Sequence, residues 1–400
     1  MEEAVPSRTP AAPLPSEVHP SGSLITAPFA FVTLATLLYF ISMGALLPTL
    51  PRYVEQELGG GGFEVGVAAG AFAVAAALLR PWVGRLGDTR GRRVLVVGGS
   101  LVVAISILGY TLATNLVILV LLRLLTGAGE AAMWVGAATA VQDMAPDDRR
   151  GEAASYYSAA LYTGLAVGPA VGEWLSKSSF DHVWYFGAAM AGLAMVLGWR
   201  TPVGPRSARV EDRPFLHPSA VGPGLVLCFG LIPFLGFATF VPLYGDEVGL
   251  ANVGPVLFVY AALVLLVRIF GARLPDRLGF RLASRVALLA VTVGALVLAG
   301  WKASAGVWLS AVAMAAGMSL LFPALFSATV GDAPEEERSH AVGTFSLFFD
   351  LASGAGPFLL GIVVSASSER GAFLASAVIS AVGLLFLRRA VRAAGAAGAT

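Results

Sequence analysis

Stretches of about 20 apolar residues without a charged side chain recur along the whole chain of 400 residues. One membrane-crossing helix needs about 20 such residues, because each adds 1.5 Å and the hydrocarbon layer is about 30 Å thick. Charged residues make up only 13% of the sequence, about half of the share found in soluble proteins. The chain is therefore expected to fold inside a lipid bilayer, and its expected fold class is all-α.

The apolar stretches predict twelve transmembrane helices joined by short connectors. Between Arg93 and Arg123 the apolar run is too long for one crossing, and Thr114-Asn115 is expected to divide it. The proline-rich segment 1–24 is expected to be a disordered tail, since it lacks the basic start and apolar core of a signal peptide. We place the helices near residues 27–50, 63–83, 94–114, 116–141, 153–175, 183–200, 219–243, 253–274, 284–301, 304–330, 340–365 and 371–388.

Lys and Arg are distributed unevenly between the two sides of this arrangement. Counted with the N-terminus inside, 19 of the 26 Lys and Arg fall in segments on that side, and four fall in the loops opposite. Cytoplasmic loops of membrane proteins carry such an excess of Lys and Arg. We therefore expect a multi-pass protein of the cell (inner) membrane with both termini cytoplasmic, a central cytoplasmic loop at 201–218 and a cytoplasmic tail at 391–400.

The second half of the chain repeats the first with a constant offset of 188 residues and no gap. Because the offset carries cytoplasmic loops onto cytoplasmic loops, the repeat contains an even number of helices. We therefore expect two pseudo-symmetric six-helix halves, at 25–200 and 219–390. Such halves can rock about a central site. A duplicated bundle with a receptor or scaffold role is the alternative. The offset pairs Arg80 with Arg268, Asp88 with Asp276, Gly91 with Gly279, Gly129 with Gly317, Gly168 with Gly356 and Pro169 with Pro357.

Two loops share a repeated Leu-x-Asp-x-x-Gly spacing, which a generic basic loop does not explain. They read GRLGDTRGRR at 84–93 and GARLPDRLGFR at 271–281. This pattern resembles the loop signature of the major facilitator superfamily. Helix 4 agrees, since Arg123 and Gly127 are similar to that superfamily's Arg-x-x-x-Gly motif.

Helix 5 carries the sequence GLAVGPAVGE at 164–173. It looks like the antiporter motif of the twelve-span drug:proton antiporter group within the superfamily, although Glu173 replaces the usual last glycine. The resemblance implies a hinge or a close-packed seal here, whereas plain helix packing is the alternative. The residues concerned are Gly164, Gly168, Pro169 and Gly172.

The resemblance also implies that the repeated loops hold one gating state through charge contacts. Asp88 and Arg92 would make these contacts, with Asp143 at the end of helix 4 as a partner. The alternative is that the charges only fix the orientation of the helices in the membrane. The implied gating residues are Gly84, Asp88, Gly91, Arg92, Asp143, Asp276 and Gly279.

Several charged residues lie within the predicted helices, where each costs roughly 2.5–3.5 kcal/mol near the bilayer centre. Arg80 and Arg268 are close to helix ends, and we expect them to extend to the interface. Arg123, Glu130 and Asp350 lie deeper, and we assign proton coupling or substrate binding to them. Arg123 and Glu130 are seven residues apart and share a helix face. A buried ion pair or a backbone cap is the alternative for these groups.

An apolar and adaptable cavity lining would suit an amphipathic substrate. Helix 1 has no acidic residue from Ala27 to Leu50, unlike some relatives that export cations, which argues against cationic drugs. Simple helix packing explains each lining candidate equally well. The candidates are Tyr39, Phe40, Met43, Trp134, Phe234, Phe237, Met314, Met318 and Phe322.

The sequence contains no nucleotide-binding P-loop, no nucleophile elbow and no cluster of metal ligands. A net charge of +1 and a single cysteine argue against nucleic-acid binding and a disulfide framework. We therefore expect a monomeric, non-enzymatic protein with no cofactor and no metal, whose partners are the lipid bilayer, a small-molecule substrate and protons. The expected function is secondary active transport by alternating access, as proton-coupled efflux of a small organic or amphipathic compound. The alternatives are a proton-coupled importer or symporter of a metabolite such as a sugar, and a non-transporting membrane receptor.

Overall fold

The computed structural model describes residues 24–146, 149–203, 216–270, 274–332 and 338–397. Within these ranges, side chains are not described at 81, 88, 150–151, 274–276, 330, 338–340 and 388–397. The predicted N-terminal tail up to residue 23, most of the central loop and the last three residues of the chain lie outside the described residues.

Twelve α-helices and no strand occur within the described residues, so the all-α prediction is confirmed. Ten of these helices are long and apolar enough to cross a membrane, and α8 is a shorter apolar helix. The helices are α1 (Ala27–Gln56), α2 (Gly62–Arg90), α3 (Arg92–Gly109), α4 (Leu116–Met144), α5 (Arg150–Ser176), α6 (Phe180–Gly198), α7 (Pro218–Glu247), α8 (Gly254–Phe270), α9 (Leu274–Gly300), α10 (Ser304–Gly331), α11 (Arg338–Ala366) and α12 (Glu369–Ala397).

Local capping explains where several helices begin. The predicted division between helices 3 and 4 is present, because the Asn115 side chain accepts a hydrogen bond from the Ile118 N–H at the start of α4. The Ser179 hydroxyl caps α6 in the same manner by accepting from the Asp181 N–H. Side chains of this kind satisfy N–H groups that have no partner within the helix.

Contacts at the helix ends show that neighbouring helices alternate in direction. Where α1 ends, the Tyr53 hydroxyl donates to the carbonyl of Ala113 beyond α3, and its ring packs on Trp184 near the start of α6. At the other side, the His217 N–H before α7 donates to Thr344 near the start of α11. We call the side where α1 begins and α12 ends the terminal face, and the other side the opposite face.

The repeat seen in the sequence extends to the backbone. Gly91, between α2 and α3, has a φ of +94°, and Gly279, at a kink inside α9, has a φ of +70°. Glycine is favoured at both positions because other residues rarely adopt this left-handed region. Residues 274–278 therefore correspond to the last turns of α2, before the same sharp turn.

The two six-helix halves meet mainly through α2 against α11 and α5 against α8. On α2, a side chain at Gly66 would meet the Pro357 carbonyl, and one at Gly70 would meet the Gly354 carbonyl. On α8, a side chain at Gly254 would meet the Pro169 carbonyl. These close approaches lie in the part of the bundle nearer the opposite face.

Candidate functional site

Three charged side chains from three helices meet between the halves, near mid-depth. Nη2 of Arg80 on α2 lies 2.9 Å from Oδ1 of Asp350 on α11 and 3.6 Å from Oε1 of Glu130 on α4. Their side chains are 17%, 4% and 12% exposed, respectively. We call these residues the central charge cluster, and it joins the first half of the chain to the second.

The expectation that Arg80 extends to the membrane interface is wrong. Its guanidinium turns inward to the two carboxylates, and its Cζ lies 5.7 Å from the centre of the Trp134 ring. The physical reason is the length of α2, which continues to Arg90 and places Arg80 about 15 Å from the helix end. From that depth, two buried carboxylates are nearer partners than water.

The central charge cluster contains more negative than positive groups. Oε2 of Glu130, Oδ2 of Asp350 and Nε of Arg80 are buried and have no hydrogen-bond partner within the described residues. With both carboxyls ionised, one negative charge is in excess, which is costly in a desolvated site. One proton would make the cluster neutral and would add an O–H donor. The arrangement is therefore chemically suited to taking up and releasing a proton.

Aromatic side chains surround the cluster on the side of the first half. The Trp134 ring lies edge-to-face against Tyr157, with centroids 6.1 Å apart, and against Phe40, at 5.8 Å. Phe40 in turn contacts Tyr39. Three of the predicted lining residues are thus brought together here, although Tyr39 is fully buried.

The structure does not bring Arg123 to Glu130, although the two share a helix. Nε of Arg123 donates to the Ala68 carbonyl at 2.9 Å, and its guanidinium lies 4.5 Å from the centre of the Phe72 ring. Gly127 allows this contact, because a side chain there would collide with the α2 backbone at Phe72. The spacing of seven residues correctly places Arg123 and Glu130 on one face of the helix, but it does not predict where the long Arg123 side chain points.

A second arginine, Arg268 on α8, also lies between the halves, and the expectation that it extends to the interface is not met. Its Cζ is 4.5 Å from the centre of the Tyr162 ring on α5 and 5.8 Å from that of Phe322 on α10. Its Nε is buried and has no hydrogen-bond partner within the described residues.

The surroundings of the two arginines correspond position by position under the 188-residue offset. Trp134 corresponds to Phe322, and both aromatic rings lie against their arginine at nearly the same distance. The two carboxylates are replaced by uncharged side chains. The corresponding pairs are Glu130 with Met318 and Asp350 with Tyr162.

A cleft of about 250 Å³ lies between α5 of the first half and α8 and α10 of the second. Its lining comes from the first turns of α5 and the last turns of α8, so it lies in the part of the bundle nearer the terminal face, and Arg268 forms part of its wall. A larger depression of about 410 Å³, lined by Ala299 and Arg370, involves only α9, α12 and the turns beside them. That depression belongs to one half, whereas the smaller cleft lies between the halves.

The remaining lining candidates lie in the second half. Phe234 stacks on Tyr260, with centroids 4.6 Å apart, and Phe237 is fully buried beside the same ring. Met314 is fully buried at the contact of α10 with α9. Phe322 is adjacent to Arg268, and Met318 is buried. On α1, Met43 is only partly buried and packs against the core.

The repeated loop of the first half makes the predicted type of charge contact. Nε of Arg92 donates to Oδ2 of Asp143 at 3.1 Å, and the Arg92 N–H donates to the Val203 carbonyl at 2.8 Å. A side chain at Gly91 would collide with Val203. Arg92 and Asp143 belong to the same half and Val203 lies at the start of the central loop, so these contacts do not cross between the halves.

The other gating candidates are less informative. The side chains of Asp88 and Asp276 lie outside the described residues. A side chain at Gly84 or Gly279 would meet open space, although the positive φ of Gly279 still favours glycine.

Glycines on α5 allow it to pack directly on the α1 backbone. A side chain at Gly164 would meet Cβ of Phe40, and one at Gly168 would meet the Ile41 carbonyl. Gly172 approaches Ala45 in the same way, and Pro169 contacts Gly44 of α1. Helix α5 continues through Pro169 as one helix. The predicted motif thus forms a close-packed contact within the first half.

The sequence did not single out Arg52, which connects the halves at the opposite face. Its Nη1 lies 2.6 Å from Oε1 of Glu173 on α5. Its Nε and Nη2 donate to the two carboxylate oxygens of Asp246 on α7, at 3.0 and 2.6 Å. A bidentate pair of this kind is directional and comparatively strong. In the sequence, this contact is indicated only by opposite charges near the ends of α1, α5 and α7, where Arg52, Glu173 and Asp246 lie.

Comparison with known proteins identifies the family. The model of the Major Facilitator Superfamily matches residues 32–353. An uncharacterised MFS-type transporter of Salmonella typhimurium is 28% identical over 371 residues, which cover 88% of this chain and 93% of the relative. The quinolone resistance protein NorA of Staphylococcus aureus is 25% identical over 211 residues, 49% of this chain and 54% of NorA.

Solved structures agree with the fold. A bacterial homologue of the human lysosomal transporter Spinster, in an inward-facing and unoccupied conformation, superimposes with a TM-score of 0.78. It is 17% identical, and the match covers 93% of this chain and 98% of that one. The chain therefore belongs to the Major Facilitator Superfamily, and it is a multi-pass secondary transporter of small molecules rather than an enzyme.

Proposed function

We propose that this transporter exports small amphipathic compounds in exchange for protons and that the central charge cluster carries the proton. The observation that supports this most strongly is the position of Arg80, which binds a carboxylate from each half of the chain. Two carboxylates that share one guanidinium accommodate one proton without leaving an uncompensated charge.

The same geometry connects proton binding to movement. The Arg80–Asp350 pair joins α2 to α11, so it stabilises one arrangement of the halves. A proton on Asp350 removes the negative charge that holds Arg80 and weakens this connection. Proton binding then favours rocking of the halves, which is how a bound ligand shifts a two-state equilibrium.

The conformation fits an exporter that waits for substrate. Arg52 and Asp246 join the halves at the opposite face, and the cleft beside Arg268 is lined by the ends of α5 and α8 that lie nearer the terminal face. With both termini in the cytoplasm, as the distribution of Lys and Arg predicts, this state accepts substrate from the cell. The ionised Arg80–Asp350 pair corresponds to the state after proton release.

The similarity to NorA over about half of the chain supports export. A proton-coupled importer of a metabolite is the alternative, because the same cluster could couple symport. The exporter and the importer differ in the direction of substrate movement. A proton antiporter moves its substrate into an acid compartment, whereas a proton symporter moves its substrate out of it.

Inside-out membrane vesicles with an acid interior test the proposal, with a fluorescent quinolone as the probe. One pH unit is worth about 1.4 kcal/mol, so one-for-one exchange drives up to about tenfold accumulation. We expect Glu130→Gln and Asp350→Asn to abolish this accumulation, and Glu152→Gln to preserve it. Glu152 is the matched control, since it is exposed on α5 and pairs only with Arg149 among the described residues.

Two results would contradict the proposal. Gradient-driven accumulation that survives in both cluster variants removes the cluster from coupling. Loss of the quinolone from acid-loaded vesicles, instead of its accumulation, reverses the direction and favours symport.

A further inference from the structure

The repeat places an arginine at the same position in each half, but only Arg80 has counter-charges among the residues that the structure describes. Around Arg80 the offset positions hold two carboxylates and an aromatic ring. Around Arg268 the aromatic ring is kept, and both carboxylates are replaced by uncharged residues. The framework is therefore the same, and the carboxylates are absent from the corresponding positions around Arg268.

This difference leaves Arg268 with an unused capacity for binding an anion. No carboxylate pairs with it among the described residues, and its Nε has no hydrogen-bond partner there. The two rings at 4.5 and 5.8 Å hold the guanidinium but do not neutralise its charge. A guanidinium inside the membrane without a counter-ion is costly. An anion that reached Arg268 would therefore gain an ion pair like the one that Asp350 makes with Arg80.

The cleft beside Arg268 has the shape and lining for the rest of such a ligand. Its volume is about 250 Å³, which suits a compound of one or two rings, and it lies nearer the terminal face. Leu265 and Pro323 give it apolar walls, whereas Ser158 and Ser319 add hydroxyl groups. Apolar walls with a few placed polar groups are typical of small-molecule sites.

We propose that Arg268 binds the carboxylate of an amphipathic aromatic acid whose rings occupy this cleft. The inference deepens the proposed function and rests on it, because it names the class of substrate. A cationic substrate is disfavoured by the like charge of Arg268, and helix α1 offers no acidic residue between Ala27 and Leu50.

Binding is measured by equilibrium dialysis, with the full-length protein in phosphatidylcholine nanodiscs and without a pH gradient. The probe is radiolabelled 2-naphthoate, and the competitors are 2-naphthamide and 2-naphthylmethylamine, which keep the rings but are neutral and cationic. We expect saturable binding of 2-naphthoate and at least about tenfold weaker competition by the other two, as the loss of a charge-assisted contact implies.

Three variants locate the site. Arg268→Gln should weaken 2-naphthoate binding at least about tenfold. Met318→Glu should do the same with Arg268 intact, because it restores the carboxylate that Arg80 has in Glu130. Arg281→Gln is the matched control, since it removes an exposed arginine on α9 and should leave binding unchanged. Size-exclusion profiles and thermal unfolding verify that each variant folds. If Met318→Glu does not fold, the binding result for Arg268→Gln alone decides the test.

The proposal is overturned if Arg268→Gln binds 2-naphthoate as tightly as the wild type, if 2-naphthamide competes equally, or if no saturable binding occurs. A second preparation contains phosphatidylglycerol. If that lipid displaces 2-naphthoate, an anionic headgroup occupies Arg268 and the assignment to a soluble acid fails. These failures are distinct from failure of the proposed function, because pH-driven quinolone flux is measured separately and does not depend on this probe.

Discussion

The two arginines at mid-depth show how a duplicated fold divides its tasks. Arg80 and Arg268 occupy equivalent positions, and each lies against an equivalent aromatic ring at nearly the same distance. Arg80 is neutralised by the protein's own carboxylates, whereas no carboxylate in the described part of the chain pairs with Arg268. Duplication therefore preserved the positive group in both halves. Divergence at two positions left Arg80 beside a pair of carboxylates and Arg268 beside uncharged side chains.

Removal of each arginine in turn is the strongest test of this comparison. Arg80→Gln leaves two buried carboxylates unpaired and should lower the free energy of unfolding by about 3–5 kcal/mol. Arg268→Gln breaks no ion pair with any described residue and should change the stability of the substrate-free protein far less. Thermal unfolding of the purified protein measures both. The loss in Arg80→Gln should shrink at acid pH, because protons neutralise the stranded carboxylates.

Equal losses of stability in the two variants would contradict the comparison. They would mean that Arg80 and Arg268 contribute through packing against their aromatic rings and that the carboxylates of the first site add little.

The sequence predicted the helices well because charge-free length is a local property that the bilayer enforces. It also indicated the depth of Glu130 and Asp350. It did not predict their partner, because pairing depends on how helices from different halves meet. For the same reason, Arg52 received no role before its bidentate contact with Asp246 was seen. Periodicity gives the face of a helix, and tertiary packing decides which side chain from another helix lies opposite.

The contacts between the halves allow a second comparison, since Gly66 and Gly254 are equivalent under the offset. A side chain at Gly66 would collide with the Pro357 carbonyl, and one at Gly254 would meet the Pro169 carbonyl at 2.9 Å. Gly70, one turn further along α2, approaches the Gly354 carbonyl of α11 in the same way. The helices α2 and α11 therefore pack more closely than α5 and α8. Overpacking of such a contact costs typically 1–3 kcal/mol.

We expect Gly66→Ala to lower thermal stability more than Gly254→Ala, and both to increase access of water to the opposite face. Labelling of single cysteines introduced at that face, in a Cys228→Ala background, measures this access. Gly98→Ala is the control, because a side chain there would meet open space. If Gly254→Ala has the larger effect, α5–α8 is the closer interface and the assignment of α2–α11 as the tighter contact fails.

The smallest effect concerns a contact that the second half lacks altogether. Arg92 binds Asp143 in the first half, whereas the equivalent positions hold Phe280 and Gly331. Because Asp143 is partly exposed, the pair should contribute about 0–1 kcal/mol. Asp143→Asn should therefore slow gradient-driven flux by at most about fivefold while leaving 2-naphthoate affinity unchanged, since both partners lie in one half and away from Arg268. An equal loss of affinity would show that this end of the first half reaches the substrate site, and the contact would then belong to binding rather than to gating.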